Sequence, residues 1–154
     1  MSERTWLDAD EQVAWRGILA GSVRLVDQLD RDLRTAHGLS LADYEILVHL
    51  SEAPDGRLRM AELAEAALLS RSRLTHRVDR LVAADLVRRE PCPTDKRGWF
   101  AVLTPAGRGR LVAAAPTHVA GVREYLVDRV DRAALDAAGR ALRAVADAVD
   151  AHDR

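Results

Sequence analysis

Between Ser70 and Arg80 the chain reads SRSRLTHRVDR, and between Asp95 and Gly98 it reads DKRG. The first stretch places guanidiniums at Arg71 and Arg73 around the hydroxyl of Ser72, directly after Ser70. If Ser70 caps a helix, the open backbone N–H groups of the first turn join those side chains. Such a set holds phosphate and reads guanine edges in a major groove. The second stretch sets Lys96, the only lysine, beside Arg97 in a predicted hairpin turn, where neither can support a core. Cations presented there suit a neighbouring minor groove or its phosphates. A solvated basic face would carry the same residues, so the rest of the chain has to discriminate.

The charge distribution favours the first reading. Twelve basic residues stand against six acidic ones from Arg57 to Arg110, while the whole chain has a formal net charge of -1, so the ends are acidic. A basic middle held by acidic flanks is the footprint of a polyanion-binding segment. Hydrophobic residues are 48% of the 154 and aromatics 4%, a composition that favours helices in one domain with helical extensions. The opening MSERTWLDADEQ has no signal-peptide pattern and no run is apolar enough to span a bilayer, so a cytoplasmic location without a membrane partner is expected. Cys92 is alone, which leaves no disulfide framework and no CxxC pair; it reads as a small apolar residue, with a redox thiol as the lesser reading. His37, His49, His76, His118 and His152 form no i, i+3 or i, i+4 pair, so neither a metal nor another cofactor is expected. No nucleophile and base stand at a recognisable spacing, and no glycine-rich loop follows a strand, which speaks against an enzyme.

The elements that would position the basic residues can be read from periodicity. Val13, Trp15, Ile18, Leu19, Val26, Leu29 and Leu33 recur at helical spacing from about Asp8 to His37, with Gly38 as the stop. Ser40 and Asp43 resemble a capping box opening a second helix through Tyr44 and Leu50. A short third helix is predicted from Met60 to Ala67 and a fourth from Arg71 to Ala84. On the fourth, Leu74, Val78, Leu81 and Val82 fall on an anchoring arc, Ser72, Arg73, His76 and Arg80 point outward, and Thr75 lies near the boundary. VRREP at 87–91 and WFAVL at 99–103 form a two-stranded hairpin, with Gly98 permitting its turn, Asp95 pairing with an arginine to shape the tip, and Trp99 or Phe100 pinning the strand to the body. Thr104-Pro105 opens another helix, and a last helix from about Ala133 to Ala151 carries Leu135, Leu142, Val145 and Val149.

That order is a mainly α winged helix-turn-helix with a two-stranded β wing. The long terminal helices keep apolar stripes that the middle does not need, so they are expected to pack on a second copy of the chain. The expected division is 1–38 and 105–154 for dimerisation and 39–104 for the DNA-binding lobe.

The segment LSRSRLTHRVDRLVAADLVRRE and above all DKRGWFAVLTPAGR, an Asp-x-Arg wing signature followed by an apolar strand and Leu-Thr-x-x-Gly, resemble the MarR family of bacterial transcriptional regulators. The resemblance implies a homodimer joined through its first and last helices, binding a pseudo-palindromic operator in double-stranded DNA, usually as a repressor released by a small-molecule inducer. It maps the Asp-x-Arg pair to Asp95 and Arg97 and the recognition helix to the one starting at Arg71. The DNA contacts expected are Ser70, Arg71, Ser72, Arg73, Thr75, His76, Arg77, Arg80, Lys96 and Arg97. It also points to an inducer cleft near Trp15, Tyr44 and His49, residues that core packing would equally explain. The reading from another class is a winged-helix protein-interaction module without specific DNA binding, for which a basic recognition helix would be unnecessary.

Overall fold

The structure is a computed structural model and describes residues 6–152, apart from the side chain of Lys96. Its chain falls into two compact units, one ending at His118 and the other starting at Val119.

In the first unit, α1 (Ala9–His37) opens at Asp8, whose carboxylate accepts the Glu11 N–H while the Glu11 carboxylate accepts the Asp8 N–H. It closes at Gly38, in the left-handed conformation at φ 62°. Only its last turns reach the core, through Leu29 and Leu33; Val13, Trp15, Ile18, Leu19, Val23 and Val26 stay about half exposed or more. α2 (Leu41–Glu52) starts at Ser40, whose hydroxyl accepts the Asp43 N–H at 3.1 Å. The reciprocal half of the predicted capping box is missing, because the Asp43 carboxylate is turned to α4 (Arg71–Ala83) instead. Asp30 of α1 accepts the Leu41 N–H at 2.9 Å and so ties the two helices together. Burial alone would raise the Asp30 pKa, but the Arg34 guanidinium and the Leu41 N–H outweigh it and hold the carboxyl below its ordinary range.

After a 3-10 turn at Pro54–Gly56 comes β1 (Arg57–Arg59), a strand absent from the sequence reading, then α3 (Met60–Ala66). β2 (Val87–Cys92) and β3 (Asp95–Leu103) follow α4, and the sheet is three-stranded and antiparallel in the order β1-β3-β2. The two-stranded wing is therefore widened by a third strand, in register Arg57 with Val102. A three-residue Arg-Leu-Arg segment has no alternation to detect; it pairs because β3 offers it an open edge. Leu33, Ile46, Leu47, Leu50, Leu63, Leu74, Val78 and Val87 form the fully buried centre, so the helices and the hairpin share one core. Val82 is 39% exposed and does not anchor α4 as predicted. Thr104 joins the hairpin to α5 (Pro105–Val122): its hydroxyl donates to the Asp85 carbonyl at 2.6 Å and accepts the Gly107 N–H at 2.9 Å.

The turn from α3 to α4 holds Leu68 at φ 54° with its side chain 82% exposed. The left-handed region costs a residue with a Cβ about 1–2 kcal/mol. Leu68→Gly should therefore raise stability by about 0.5–1 kcal/mol even after glycine's greater freedom in the unfolded chain. Thermal unfolding checks this: the midpoint should rise by about 2 °C, and a fall would show that Leu68 is held there by a contact.

In the second unit, a π-helical turn at Arg123–Val127 leads to α6 (Arg132–His152). The Asp131 carboxylate accepts the Ala134 N–H at 2.9 Å to start that helix. α6 has no buried residue, and Leu142, Val145 and Val149 form an uncovered apolar stripe. No helix among the described residues is long and apolar enough to cross a membrane.

Candidate nucleic-acid interface

α4 is built to show its N-terminal end. Ser70 caps it weakly, its hydroxyl accepting the Arg73 N–H at 3.4 Å, and no acidic residue occupies the first turn. Leu74, Val78 and Leu81 are buried and seat the helix. Arg71, Ser72, Arg73, Thr75 and His76 are exposed. The Thr75 hydroxyl is engaged within the helix, donating to the Arg71 carbonyl at 2.9 Å, and the Ser70 and Ser72 hydroxyls lie 3.3 Å apart. Two residues expected on the DNA face are occupied elsewhere. Arg77 is half-buried and pairs with Asp43 at 3.0 Å, and Arg80, though exposed, pairs with the same carboxylate at 3.2 Å. The wheel places Arg80 outward but cannot see that α2 brings an acid to it and to Arg77.

The wing departs from its predicted shape. Its two-residue turn is Pro93-Thr94, and Cys92 pairs with Asp95 while Pro91 pairs with Trp99. Residues 96–98 are thus extra residues in β3, a bulge rather than the hairpin tip. The Asp95 carboxylate accepts the Arg97 N–H at 3.0 Å and lies 3.9 Å from the Arg59 guanidinium of β1. Gly98 serves close packing and not the turn: a Cβ there would sit 2.9 Å from Asp95 Oδ2 and 3.2 Å from Cys92 Cβ. The Arg97 side chain is exposed. The Lys96 side chain, expected to meet DNA, lies outside what the structure describes. Trp99 is 49% exposed and does not pin the strand; Phe100 lies under the Arg57 and Arg59 guanidiniums, 5.1 and 5.8 Å from its ring centre. Cys92 is buried at the base of the bulge, where the Thr94 hydroxyl, 3.4 Å away, and the Thr94 backbone hold the thiol pKa below its ordinary range.

Wing and recognition helix meet around a cleft of about 630 Å³ whose lining includes Arg59, Met60, Arg71, Thr75, Arg97 and Trp99. Arg71 and Arg97, 26 positions apart in sequence, face one space. Other basic residues nearby are paired: Arg89 with Asp79 at 2.6 Å and Arg88 with Glu90 at 2.6 Å. Arg71, Arg73 and Arg97 have no carboxylate partner among the described residues.

Trp15, Tyr44 and His49 do not line this cleft. Trp15 is exposed on α1, His49 is half-buried, and the Tyr44 ring lies 4.6 Å from that of His118, with burial raising its hydroxyl pKa. Among the described residues no group of three or more His, Cys, Asp or Glu side chains gathers as a metal site. The sequence reading gave Asp43 only a capping role and did not single out Arg59 or Thr94, polar residues whose roles come from contacts more than 30 positions away.

A helix-turn-helix whose second helix opens on unpaired cations, backed by a β wing, defines a winged-helix protein. The model of the MarR family matches residues 37–98. The HTH-type transcriptional regulator MhqR of Bacillus subtilis is 31% identical over 93 residues, which is 58% of this chain and 61% of MhqR, so the match spans under two thirds of that relative. Two solved structures from Streptomyces coelicolor are similar along nearly the whole chain. Sco3205, a MarR family transcriptional regulator in complex with DNA, is 45% identical with a TM-score of 0.90, covering 93% of this chain and 90% of its own. AbsC, another MarR family transcriptional regulator, is 44% identical with a TM-score of 0.89, covering 95% and 98%. This chain belongs to the MarR family of transcriptional regulators.

Proposed function

We propose that the protein is a homodimeric, sequence-specific regulator that binds a pseudo-palindromic operator in double-stranded DNA and represses transcription until a small molecule releases it. The observation that carries the reading is the cleft between α4 and the wing, where exposed guanidiniums from both elements lie without carboxylate partners. Ser70, Arg71, Ser72, Arg73, Thr75 and His76 meet the major groove, and Lys96 and Arg97 meet the adjoining minor groove or its phosphates. Asp95 and Gly98 keep the wing's bulge in shape. The DNA-bound relative supports this reading, as does the basic middle of the chain. Residues 39–104 act as the DNA-binding lobe, with 1–38 and 105–154 serving dimerisation.

Binding is tested by fluorescence anisotropy against a random duplex and a duplex selected from the source genome. The selected duplex should bind at least about 10³-fold more tightly, and both affinities should fall steeply with salt. Failure to bind any duplex at low salt would leave the protein-interaction module as the better reading.

The exposed stripes of α1 and α6 are the support for dimerisation. Sedimentation at micromolar concentration should give a dimer, and Ile18→Glu, on an apolar stripe, should shift it to monomer. A monomeric parent chain would contradict the proposal. Tyr44, His49 and Trp15 are the residues to change first in seeking the inducer's contacts.

A further inference from the structure

One carboxylate on α2 holds two guanidiniums of α4. Asp43, 9% exposed, accepts from Arg77 Nη1 at 3.0 Å and from Arg80 Nη2 at 3.2 and 3.3 Å. Arg77 Nη1 also donates to the Ser40 hydroxyl at 3.2 Å, and that hydroxyl accepts the Asp43 N–H, so Ser40, Asp43 and Arg77 form a closed polar knot between the helices. The two arginines differ. The Arg77 side chain is 27% exposed and belongs to the knot, while the Arg80 side chain is 64% exposed, on the outward face with Arg73 and His76.

An exposed arginine on a recognition helix would ordinarily add phosphate attraction, which is the same for every sequence. A carboxylate touching it both occupies its donors and repels an approaching phosphate. Arg71, Arg73 and Arg97 have no such partner among the described residues. The helix therefore keeps the cations of its first turn unpaired, while Arg77 and Arg80 share one carboxylate that halves their joint charge and holds their donors.

We propose that Asp43 is a specificity-determining positioning residue: it withholds Arg77 and Arg80 from the duplex, so that sequence-independent attraction is limited and discrimination is left to the first turn of α4. The inference rests on the DNA-binding reading above. If Asp43 were only a brace between α2 and α4, removing its charge would lower the melting temperature and weaken binding to selected and random duplexes alike.

The experiment compares the parent chain, Asp43→Asn, Arg80→Ala and the double variant Asp43→Asn/Arg80→Ala, each titrated with selected and random duplexes across a salt series. Asp43→Asn should bind the random duplex roughly tenfold more tightly per subunit at 0.1 M salt, with the slope of log K against log salt steeper by about one. The ratio of selected to random affinity should fall. Arg80→Ala in the double variant should restore the parent slope and ratio. Should Asp43→Asn not fold, Arg80→Ala alone still decides: it should leave the random-duplex affinity and salt slope unchanged, because that guanidinium is already withheld. A slope reduced by about one in Arg80→Ala, or unchanged or weaker random binding by a folded Asp43→Asn, overturns the inference while leaving the proposed function standing. A parent chain that binds no duplex removes the function itself.

Discussion

Gly107→Ala is expected to destabilise the protein by about 3 kcal/mol or more, the upper end of what overpacking costs. A Cβ on Gly107 would stand 2.0 Å from the Leu86 carbonyl oxygen, 2.9 Å from its carbonyl carbon and 2.8 Å from Leu103 Cδ1. A flexible side chain could swing away, but the Leu86 carbonyl is backbone and accepts the Thr104 N–H at 3.2 Å. Leu86 and Leu103 are both buried, so neither can be displaced without opening the core. The first turn of α5 must lie directly on the segment entering β2, and that junction also fixes where the wing leaves the body. Thermal unfolding should show a midpoint lowered by about 6–12 °C. Gly109→Ala, with nothing within 4 Å, is the control and should stabilise the helix by about 0.5–1 kcal/mol. A Gly107→Ala chain as stable as its parent would mean that α5 does not approach the hairpin so closely.

The second large effect concerns DNA. Arg71→Ala, Arg73→Ala and Arg97→Ala combined should abolish measurable binding while leaving the stability within about 1 kcal/mol of the parent, since exposed side chains away from special contacts contribute little to stability. Taken singly, the variants should separate. Arg97→Ala should weaken binding to every duplex by a similar factor and flatten the salt slope by about one per subunit, as expected for a lost phosphate or groove cation. Arg73→Ala should cost about 1–3 kcal/mol on the selected duplex and relax preference at one base position in each half-site. Equal losses on selected and random duplexes would assign Arg73 to the backbone instead of a base edge.

The helices were readable because their signals are local. Ser70, Gly38 and Thr104-Pro105 are caps and stops, and the apolar spacing of Leu74, Val78 and Leu81 faces one core. What escaped depends on partners distant in sequence. β1 exists because β3 has an edge to offer, and Arg77 and Arg80 are paired by Asp43, more than 30 positions earlier. The wing's charged pair was visible, but its placement in a bulge was not, because the register is set by Cys92 pairing with Asp95 around Pro93-Thr94. Of the two aromatics either of which could pin the strand, Trp99 borders the cleft, half exposed, instead of packing inward.

The most direct test of the whole account is a hydroxyl-radical footprint of the dimer on its selected duplex. Two protected segments about one helical turn apart, 10–10.5 base pairs centre to centre, with flanking protection in the minor groove that disappears in Arg97→Ala, are the predicted result. A single protected segment, or flanks unchanged by that substitution, would contradict the joint presentation of helix and wing by paired subunits.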